Sequence, residues 1–260
     1  MNLQLINTDL LKNYISLVPL DLNTLIDNLC NKKTALTKDS FDFYTSIASV
    51  YSSKIEGEDI ELDSYLKHKY LGINYLPDYT KRTDDLAIAY KFASTHPLNK
   101  NNLLIVHQLI TKNILIEGKR GTIRTSQMFV TDKQGNINYV AADAAIINTE
   151  MDKWFSDVTI LSAKVLENYE ALFYASMLHL TFVDIHPFND GNGRTGRLIE
   201  KWFLADYFGV NAWNIESERY YYENRQQYYT CLNDLGLEYS TLDFSKAIPF
   251  TLLLINSLQL

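Results

Sequence analysis

The twelve residues from His186 to Arg197, with the sequence HPFNDGNGRTGR, hold several side chains that could carry out chemistry together. The histidine titrates near neutral pH and can accept a proton. The aspartate can bind Mg²⁺ jointly with phosphate oxygens of a substrate. The two arginines can each bind phosphate oxygens through paired hydrogen bonds. This combination indicates chemistry on the phosphate groups of a nucleotide.

The turn inside this segment should lead into a helix. Pro187 ends the preceding helix, because the residue before a proline disfavours helical geometry, and an apolar helical pattern resumes at Leu198. Gly191 and Gly193 permit the tight bend between the two helices. Free N–H groups and the helix dipole attract anions at such a start. We therefore predict a phosphate site there, with Asp190 beside it as the ligand of Mg²⁺.

Three further side chains complete the predicted site. Arg194 and Arg197 lie three residues apart on the first helical turn, so they project in neighbouring directions and can hold further phosphate oxygens. His186 faces the same loop, and its ordinary pKa of about 6.5 suits a general base near neutral pH. Each residue type alone is more often structural, and their combination within twelve residues favours a site.

The elements that position this site should be mostly helical. The chain has 260 residues with only 10 glycines and 5 prolines, which favours helices over a turn-rich β fold. The stretch 162–185 is apolar around nearly its whole circumference, which predicts a central buried helix. Asp143 and Ser217 are predicted to cap the helices that follow them. The predicted helices cover residues 22–37, 39–55, 81–95, 101–113, 143–158, 162–185, 194–208, 217–235 and 241–258.

One segment breaks the helical pattern. Residues 123–140 carry β-forming side chains on both sides of the polar turn 132–136, which predicts a hairpin. We expect a joint at Gly72 to Asp78, which contains Pro77. It would connect an N-terminal helical part to the rest of the chain. We expect an N-terminal helical region at 1–98, a catalytic domain at 99–243 and a C-terminal helix at 244–260.

Composition excludes several classes of protein. The formal net charge is −7 and basic residues are not clustered, which argues against a nucleic-acid partner. Cys30 and Cys231 form no disulfide pattern, and the chain begins without a signal peptide, so a cytoplasmic location is expected. No run of 18 apolar residues predicts a membrane span.

A second interpretation of the glycines fails on context. The sequence from Gly191 to Gly196 matches the G-x-G-x-x-G pattern, and Glu216 follows at the distance of a ribose-binding acid. This pattern would indicate a dinucleotide-binding oxidoreductase. The preceding apolar run is predicted to be a helix, however, and no alternation of strands and helices surrounds it.

The segment 186–197 resembles the signature of the Fic (Fic/Doc) family, H-x-F-x-[D/E]-G-N-G-R-x-x-R, with every fixed position filled. The resemblance extends over roughly 99–243 and includes the hairpin, which corresponds to the family's flap. It implies a mostly α fold, namely a Fic-type helical core with a β-hairpin flap and an N-terminal helical extension. It also implies transfer of AMP from ATP to a Ser, Thr or Tyr hydroxyl of a target protein, with automodification included.

The resemblance further implies a role for each site residue. His186 would deprotonate the hydroxyl, Asp190 would hold Mg²⁺, and Arg194 and Arg197 would hold the outer phosphates until pyrophosphate leaves. The target would dock along the 123–140 hairpin, because a strand edge can pair with an extended segment. The residues implied to bind the nucleotide are Phe188, Asn189, Gly191, Asn192, Gly193, Arg194, Arg197, Tyr228 and Tyr229.

An upstream segment resembles the inhibitory motif of some Fic proteins, [S/T]-x-x-x-E-[G/N]. Ser52, Glu56 and Gly57 fill its fixed positions. By this resemblance Glu56 forms an ion pair with Arg197 and blocks the site of the γ-phosphate. The protein is therefore expected to inhibit itself.

Two alternatives to AMP transfer remain open at this stage. The same fold could use another donor (UTP, GTP or CDP-choline) or remove AMP instead of adding it. The chain could also be a nucleotide-binding regulatory module with little turnover. The sequence leaves the target, the release of inhibition and the formation of a homodimer undecided.

Overall fold

The computed structural model describes residues 2–31, 38–76, 78–131 and 134–260, and these residues are mostly helical, which confirms the predicted fold class. One two-stranded sheet accompanies the helices, with strands β1 (Phe129–Thr131) and β2 (Ile137–Val140). The α-helices of the described residues are α1 (Leu10–Ile15), α2 (Leu22–Asn31), α3 (Lys38–Ile55), α4 (Leu62–Leu71), α5 (Lys81–Ala93), α6 (Lys100–Ile110), α7 (Ile147–Ser162), α8 (Asn168–Ile185), α9 (Asn192–Phe208), α10 (Ser217–Glu223), α11 (Arg225–Asn233) and α12 (Ile248–Ser257).

Helix α8 is the centre of the fold. Every residue from Ala171 to Ile185 is buried, as expected for a helix that is apolar on all sides. It packs against α7, α9 and α12, and the Trp154 indole of α7 donates a hydrogen bond to the Leu178 carbonyl. One continuous hydrophobic core joins α8 to the N-terminal helices and to α12. The helix therefore holds its C-terminal end, where the predicted site begins, in a fixed place.

The start of α8 differs from the prediction. Helix α7 continues to Ser162, and α8 begins only at Asn168, whereas the apolar pattern predicted a helix over 162–185. The side chains of Glu167 and Glu170 form a reciprocal capping box with the backbone at this point. Such a box satisfies free N–H groups and sets the first helical residue.

Both predicted helix caps were wrong. Helix α7 begins after Ile146, and the Asp143 carboxylate instead accepts the N–H of Ala145 in the turn before it. Ser217 is already inside α10, with Glu216 in the cap position. The predicted helix 217–235 is interrupted at Asn224, where the backbone leaves helical geometry.

The remaining helix predictions agree with the structure to different degrees. Helices α3, α5, α6 and α9 match their predicted ranges to within three residues at each end. The predicted C-terminal helix 241–258 begins only at Ile248, after two short 3₁₀ turns. Helices α1 and α4 were not predicted. Residues 32–37, predicted as the end of a helix, lie outside the described residues.

The predicted hairpin is confirmed. Strands β1 and β2 pair antiparallel, with Phe129 opposite Val140 and Val130 opposite Tyr139. The Tyr139 hydroxyl donates to the Asp184 carbonyl near the end of α8, so the hairpin is tied to the helix that carries the site. Residues 132 and 133 of its turn lie outside the described residues.

The predicted joint near residue 72 is a helix end. Gly72 closes α4 in the left-handed conformation, with φ of 67°, while Pro77 lies outside the described residues. Helix α3, upstream of the joint, packs on α5 and α10 downstream of it. Within the described ranges, no helix is long and apolar enough to cross a membrane.

Candidate functional site

The backbone reverses direction immediately after α8, at His186. Its φ of 54° and ψ of 58° make it the single non-glycine residue with positive φ in the described part of the chain. A side chain in this region costs conformational energy, which the surroundings must offset. Buried Arg124 holds the bend, because its Nε donates to the His186 carbonyl at 2.7 Å and its backbone N–H donates to the Pro187 carbonyl at 2.9 Å. No pattern in the sequence marks Arg124 for this role.

The geometry of the His186 ring sets its tautomer. Its Nδ1 lies 3.0 Å from the Val183 carbonyl, and because a carbonyl oxygen only accepts, Nδ1 carries the proton. The Nε2 atom is then free of a proton and can accept one. Burial lowers the pKa of His186 below its ordinary value of 6.5, so the ring is neutral at pH 7. A neutral imidazole of this form meets the requirement for a general base.

The loop after His186 is held by its own side chains. The Asn192 amide accepts the N–H of Phe188 and donates to the Phe188 carbonyl, both at 2.9 Å. The Phe188 ring stacks on His107 with ring centroids 3.6 Å apart. The side chains of Phe188 and Asn192 therefore shape the loop, and buried Phe188 anchors it in the core, as the family resemblance implies.

His107 supports the loop from beneath. Its Nδ1 accepts the Gly121 N–H at 2.9 Å, so its Nε2 carries the proton and donates to the Asp190 carbonyl at 2.8 Å. Burial lowers the pKa of His107 to about 4, which keeps this neutral tautomer in place. A lone histidine inside a helix gave no signal of this role in the sequence.

The start of α9 is closely packed around its glycines. Gly191 has φ of 80°, a conformation that suits glycine. A Cβ at Gly193 would lie 2.6 Å from the Glu56 carboxylate, so a side chain there would force that carboxylate to shift. No side chain caps the helix start, and the Asp190 carboxylate accepts the Gly191 N–H at 2.6 Å. The structure therefore contains the predicted glycine turn, with the Asp190 carboxylate next to it.

The predicted ion pair between Glu56 and Arg197 is present. Arg197 Nη2 donates to Glu56 Oε1 at 2.6 Å, and Arg197 Nε donates to the Ser52 hydroxyl at 2.9 Å. Gly57 follows Glu56 with φ of 91°, just after α3 ends at Ile55. Burial alone would raise the pKa of Glu56, but the charges of Arg197 and Arg194 outweigh it and lower that pKa. The carboxylate is therefore ionised and covers one edge of the Arg197 guanidinium.

Arg194 is also paired with a carboxylate, which the sequence analysis missed. Its Nη2 donates to Glu58 Oε1 at 3.0 Å, and the same oxygen accepts Arg82 Nη1 at 2.7 Å. The one available signal was the spacing of two glutamates around Gly57. Both arginines of the segment 186–197 thus contact acids from the turn that follows α3.

The two tyrosines implied by the resemblance occupy different positions. Tyr228 is buried behind Arg197, with its hydroxyl 3.5 Å from Arg197 Nη1 and 3.2 Å from His179 Nε2. Tyr229 is 40% exposed and donates to the Ile55 carbonyl at the end of α3. Tyr229 therefore borders the site, and Tyr228 supports it from the core.

The residues present fit a nucleotide with Mg²⁺. Arg194 Nε and Asn189 Nδ2 are buried donors without a hydrogen-bond partner in the described ranges, and the uncapped start of α9 adds free N–H groups. These donors suit an anion. The described residues contain no group of three or more acidic, histidine or cysteine ligands for a metal. A single carboxylate, Asp190, suits Mg²⁺ that also binds phosphate oxygens.

Comparison with known proteins identifies the segment that carries the site. Residues 97–204 match the model of the Fic/DOC family. These residues form a Fic domain. The Fic domain holds His186, Asp190 and both arginines, whereas Ser52, Glu56 and Glu58 lie upstream of the matched residues. The acids that cover the arginines therefore come from outside the Fic domain as it is matched.

Curated relatives resemble part of the chain. "Protein adenylyltransferase Fic" of Aedes aegypti is 31% identical over 145 residues, which is 52% of this chain and 27% of that protein. The protein of the same name from Drosophila erecta is 30% identical over 144 residues, with 53% and 27% coverage. The match thus spans about a quarter of the length of these relatives.

Solved structures resemble nearly the whole chain. A Fic family protein from Desulfovibrio desulfuricans G20 has a TM-score of 0.76 at 19% identity and covers 100% of this chain and 74% of that one. Residues 134–508 of Fic-1 from C. elegans have a TM-score of 0.66 at 17% identity, with 97% and 72% coverage. The Fic-type fold therefore extends to the helices around the matched domain.

Proposed function

We propose that this protein is a self-inhibited protein adenylyltransferase, which transfers AMP from ATP to a Ser, Thr or Tyr hydroxyl of a target protein or of itself. The observation that carries this proposal is the unprotonated Nε2 of His186, at the head of the loop that leads into the uncapped start of α9. A proton acceptor beside an anion site is what transfer of a phosphate-linked group to a hydroxyl requires. The name of the curated relatives supports the same activity.

The chemistry assigns a task to each group. The target hydroxyl oxygen forms a bond to the α-phosphorus, and its proton passes to His186 Nε2. The bond from the α-phosphorus to the oxygen of the β-phosphate breaks, and pyrophosphate leaves. Arg194, Arg197 and the N–H groups at the start of α9 stabilise the charge on the departing phosphates. Asp190 would hold Mg²⁺, which supplies positive charge to the phosphate oxygens when bound.

The hairpin is the proposed docking place for the target. Strand β1 pairs only with β2 in the described sheet, so its other edge offers backbone groups to an extended segment. The contact of Tyr139, on β2, with α8 ties the hairpin to the helix that ends just before His186. A target strand that pairs with the free edge of β1 would bring its hydroxyl to His186. Because backbone groups make this pairing, the target needs few specific residues.

The contacts of Arg197 support the proposed self-inhibition. While Glu56 and Ser52 hold its guanidinium, Arg197 cannot bind a γ-phosphate, and the Glu56 carboxylate repels one. We assign this inhibitory role to the N-terminal region 1–98, catalysis to 99–243 and support to the C-terminal helix region 244–260. The pairing of both arginines also favours a second candidate, a nucleotide-binding module with little turnover.

Mass spectrometry of the purified protein after incubation with a nucleotide and Mg²⁺ tests the proposal. The Glu56→Gly variant is expected to gain an AMP adduct from ATP at least about tenfold faster than wild type, because Arg197 is freed. His186→Ala in the same background should lose about 10²–10⁴-fold of this rate. Glu61→Gln is a matched control, because this acid lies near the same turn and pairs with Lys54 instead.

Each other outcome counts against a specific part of the proposal. An adduct from UTP, GTP or CDP-choline, but none from ATP, would show that the donor is that compound and not ATP. Release of AMP from a modified protein by wild type would favour removal over addition. Binding of ATP without any adduct in the Glu56→Gly variant would leave the regulatory module as the better description.

A further inference from the structure

Glu58 is shared by two arginines. Its Oε1 accepts Arg194 Nη2 at 3.0 Å and Arg82 Nη1 at 2.7 Å. Two guanidinium groups that converge on one carboxylate oxygen form the arrangement in which a phosphate oxygen is also bound. We propose that Arg82 is a third phosphate-binding arginine of this site, and that Glu58 occupies, as an internal anion, the place of a phosphate oxygen between Arg82 and Arg194.

The position of Arg82 supports this assignment. It lies on α5, upstream of the matched Fic domain, and its Nε also donates to the Asn113 carbonyl at 3.4 Å. The Glu58 hydrogen bond raises the pKa of Arg82, and the Asp190 charge adds a smaller effect in the same direction.

Arg194 provides an independent observation. It is 4% exposed, and its Nε is buried with no hydrogen-bond partner in the described ranges. A buried donor without a partner is costly, and Glu58 satisfies only the Nη2 side of this guanidinium. A phosphate group has several acceptor oxygens, so it can reach both Nε and the Nη2 side at once. The site is better matched to a phosphate than to the glutamate that now fills it.

The exposure of the Glu58 contact makes it exchangeable. The side chain of Glu58 is 25% exposed and that of Arg82 is 48% exposed, so water can replace each partner as the contact opens. Glu58 stands two residues after Glu56, across Gly57, and its N–H donates to the Ser53 carbonyl. Both acids belong to one turn, and displacement of that turn would free Arg194 and Arg197 together.

This inference rests on the proposed nucleotide site, and it predicts an order of nucleotide affinities. With Glu56 and Glu58 both neutralised, Arg82 should strengthen binding of ATP through its outer phosphates. AMP lacks those phosphates, so its affinity should not depend on Arg82. A general effect of positive charge would instead change the affinities of both nucleotides in the same ratio.

Isothermal titration calorimetry with ATP and with AMP, both with Mg²⁺, tests the inference. The parent protein carries Glu56→Gly and His186→Ala, so no transfer occurs during the titration. Adding Glu58→Gln is expected to tighten ATP binding about tenfold, and adding Arg82→Gln to that protein should weaken it about tenfold, as for one charge-assisted hydrogen bond. The matched control is Lys81→Gln, which removes an adjacent exposed charge that pairs with Asp78.

The results separate this inference from the proposed function. If Arg82→Gln leaves ATP affinity unchanged, or weakens ATP and AMP equally, the role of Arg82 is overturned even when AMP transfer occurs. If ATP affinity depends on Arg82 but His186-containing protein transfers nothing, the proposed function fails and this inference stands. If no variant binds ATP, both fail. Thermal unfolding of each variant shows that it is folded before it is titrated.

Discussion

Two neighbouring turns of helix α9 each carry an ion pair, and the acids of the two pairs differ in their exposure to solvent. On the earlier of these two turns, Arg197 pairs with Glu56 at 2.6 Å, and on the later one, Lys201 pairs with Glu218 at the same 2.6 Å. The Glu56 side chain is 29% exposed, whereas that of Glu218 is 0% exposed. The length of the two pairs is therefore the same, and the exposure of the acid distinguishes them.

This difference separates an exchangeable contact from a permanent one. An acid at the surface regains water when its contact opens, so a phosphate can replace it. An acid in the core has no water to return to, and it keeps its partners because separation would leave a buried charge. Glu218 also accepts a hydrogen bond from the Tyr90 hydroxyl, and Glu200 on the same turn of α9 is bound by buried His179 and Tyr221. The turn with Arg197 suits regulation, and the turn with Lys201 suits structural support.

The largest expected effect comes from breaking the core pair. Lys201→Met should lower the free energy of unfolding by about 3–5 kcal/mol, because it leaves Glu218 buried without its cation. Glu58→Gln on the exposed side should change it by at most about 1 kcal/mol. Urea denaturation of both variants measures the two values. Equal decreases in the free energy of unfolding for the two variants would contradict the distinction between an exchangeable and a permanent contact.

A smaller effect should come from the residue that joins the two turns. The Tyr228 hydroxyl contacts Arg197 on one side and His179 on the other, and His179 in turn contacts Glu200. Tyr228→Phe removes these hydrogen bonds and should cost about 1 kcal/mol of stability. In the Glu56→Gly background it should also weaken ATP binding, because Arg197 loses a positioning contact.

The control for this prediction is Tyr229→Phe. Its hydroxyl donates only to the Ile55 carbonyl within the described residues, so its loss should leave the free energy of unfolding nearly unchanged. Calorimetric ATP affinity and urea denaturation are measured on both variants. If Tyr228→Phe alters neither quantity, the turn of α9 that carries Arg197 is independent of the core behind it.

The smallest expected effect is the pH dependence of the Glu56–Arg197 pair. Burial opposes ionisation of Glu56, but Arg197 and Arg194 lower its pKa below the ordinary 4.5. A lowered pKa in the folded state stabilises the protein fully above pH 4.5, and this contribution is lost as the pH falls through the lowered value. The difference in unfolding free energy between wild type and Glu56→Gln should therefore shrink below pH 4.5. A difference that stays constant down to pH 3 would show that Glu56 does not titrate with its arginine partners.

The parts predicted from the sequence are those that neighbouring residues control. The glycine turn, the start of α9, the hairpin and the buried character of α8 follow from residues close together along the chain. The start of α8 was missed because the capping box of Glu167 and Glu170 competes with an apolar pattern that extends past it. The Glu56–Arg197 pair was expected only from the resemblance of two separate motifs to one family.

Other parts of the site come from contacts between distant residues. Arg82, Glu58 and Arg194 meet although 136 residues separate the last two, and no local pattern marks such a meeting. The support of the loop by Arg124 and His107 depends likewise on which carbonyl groups the packed helices leave within reach. Short-range conformational preferences thus specified the turn and the residues on it. Long-range packing settled which charges face that turn, because hydrogen-bond partners and exposure exist only once the helices have assembled.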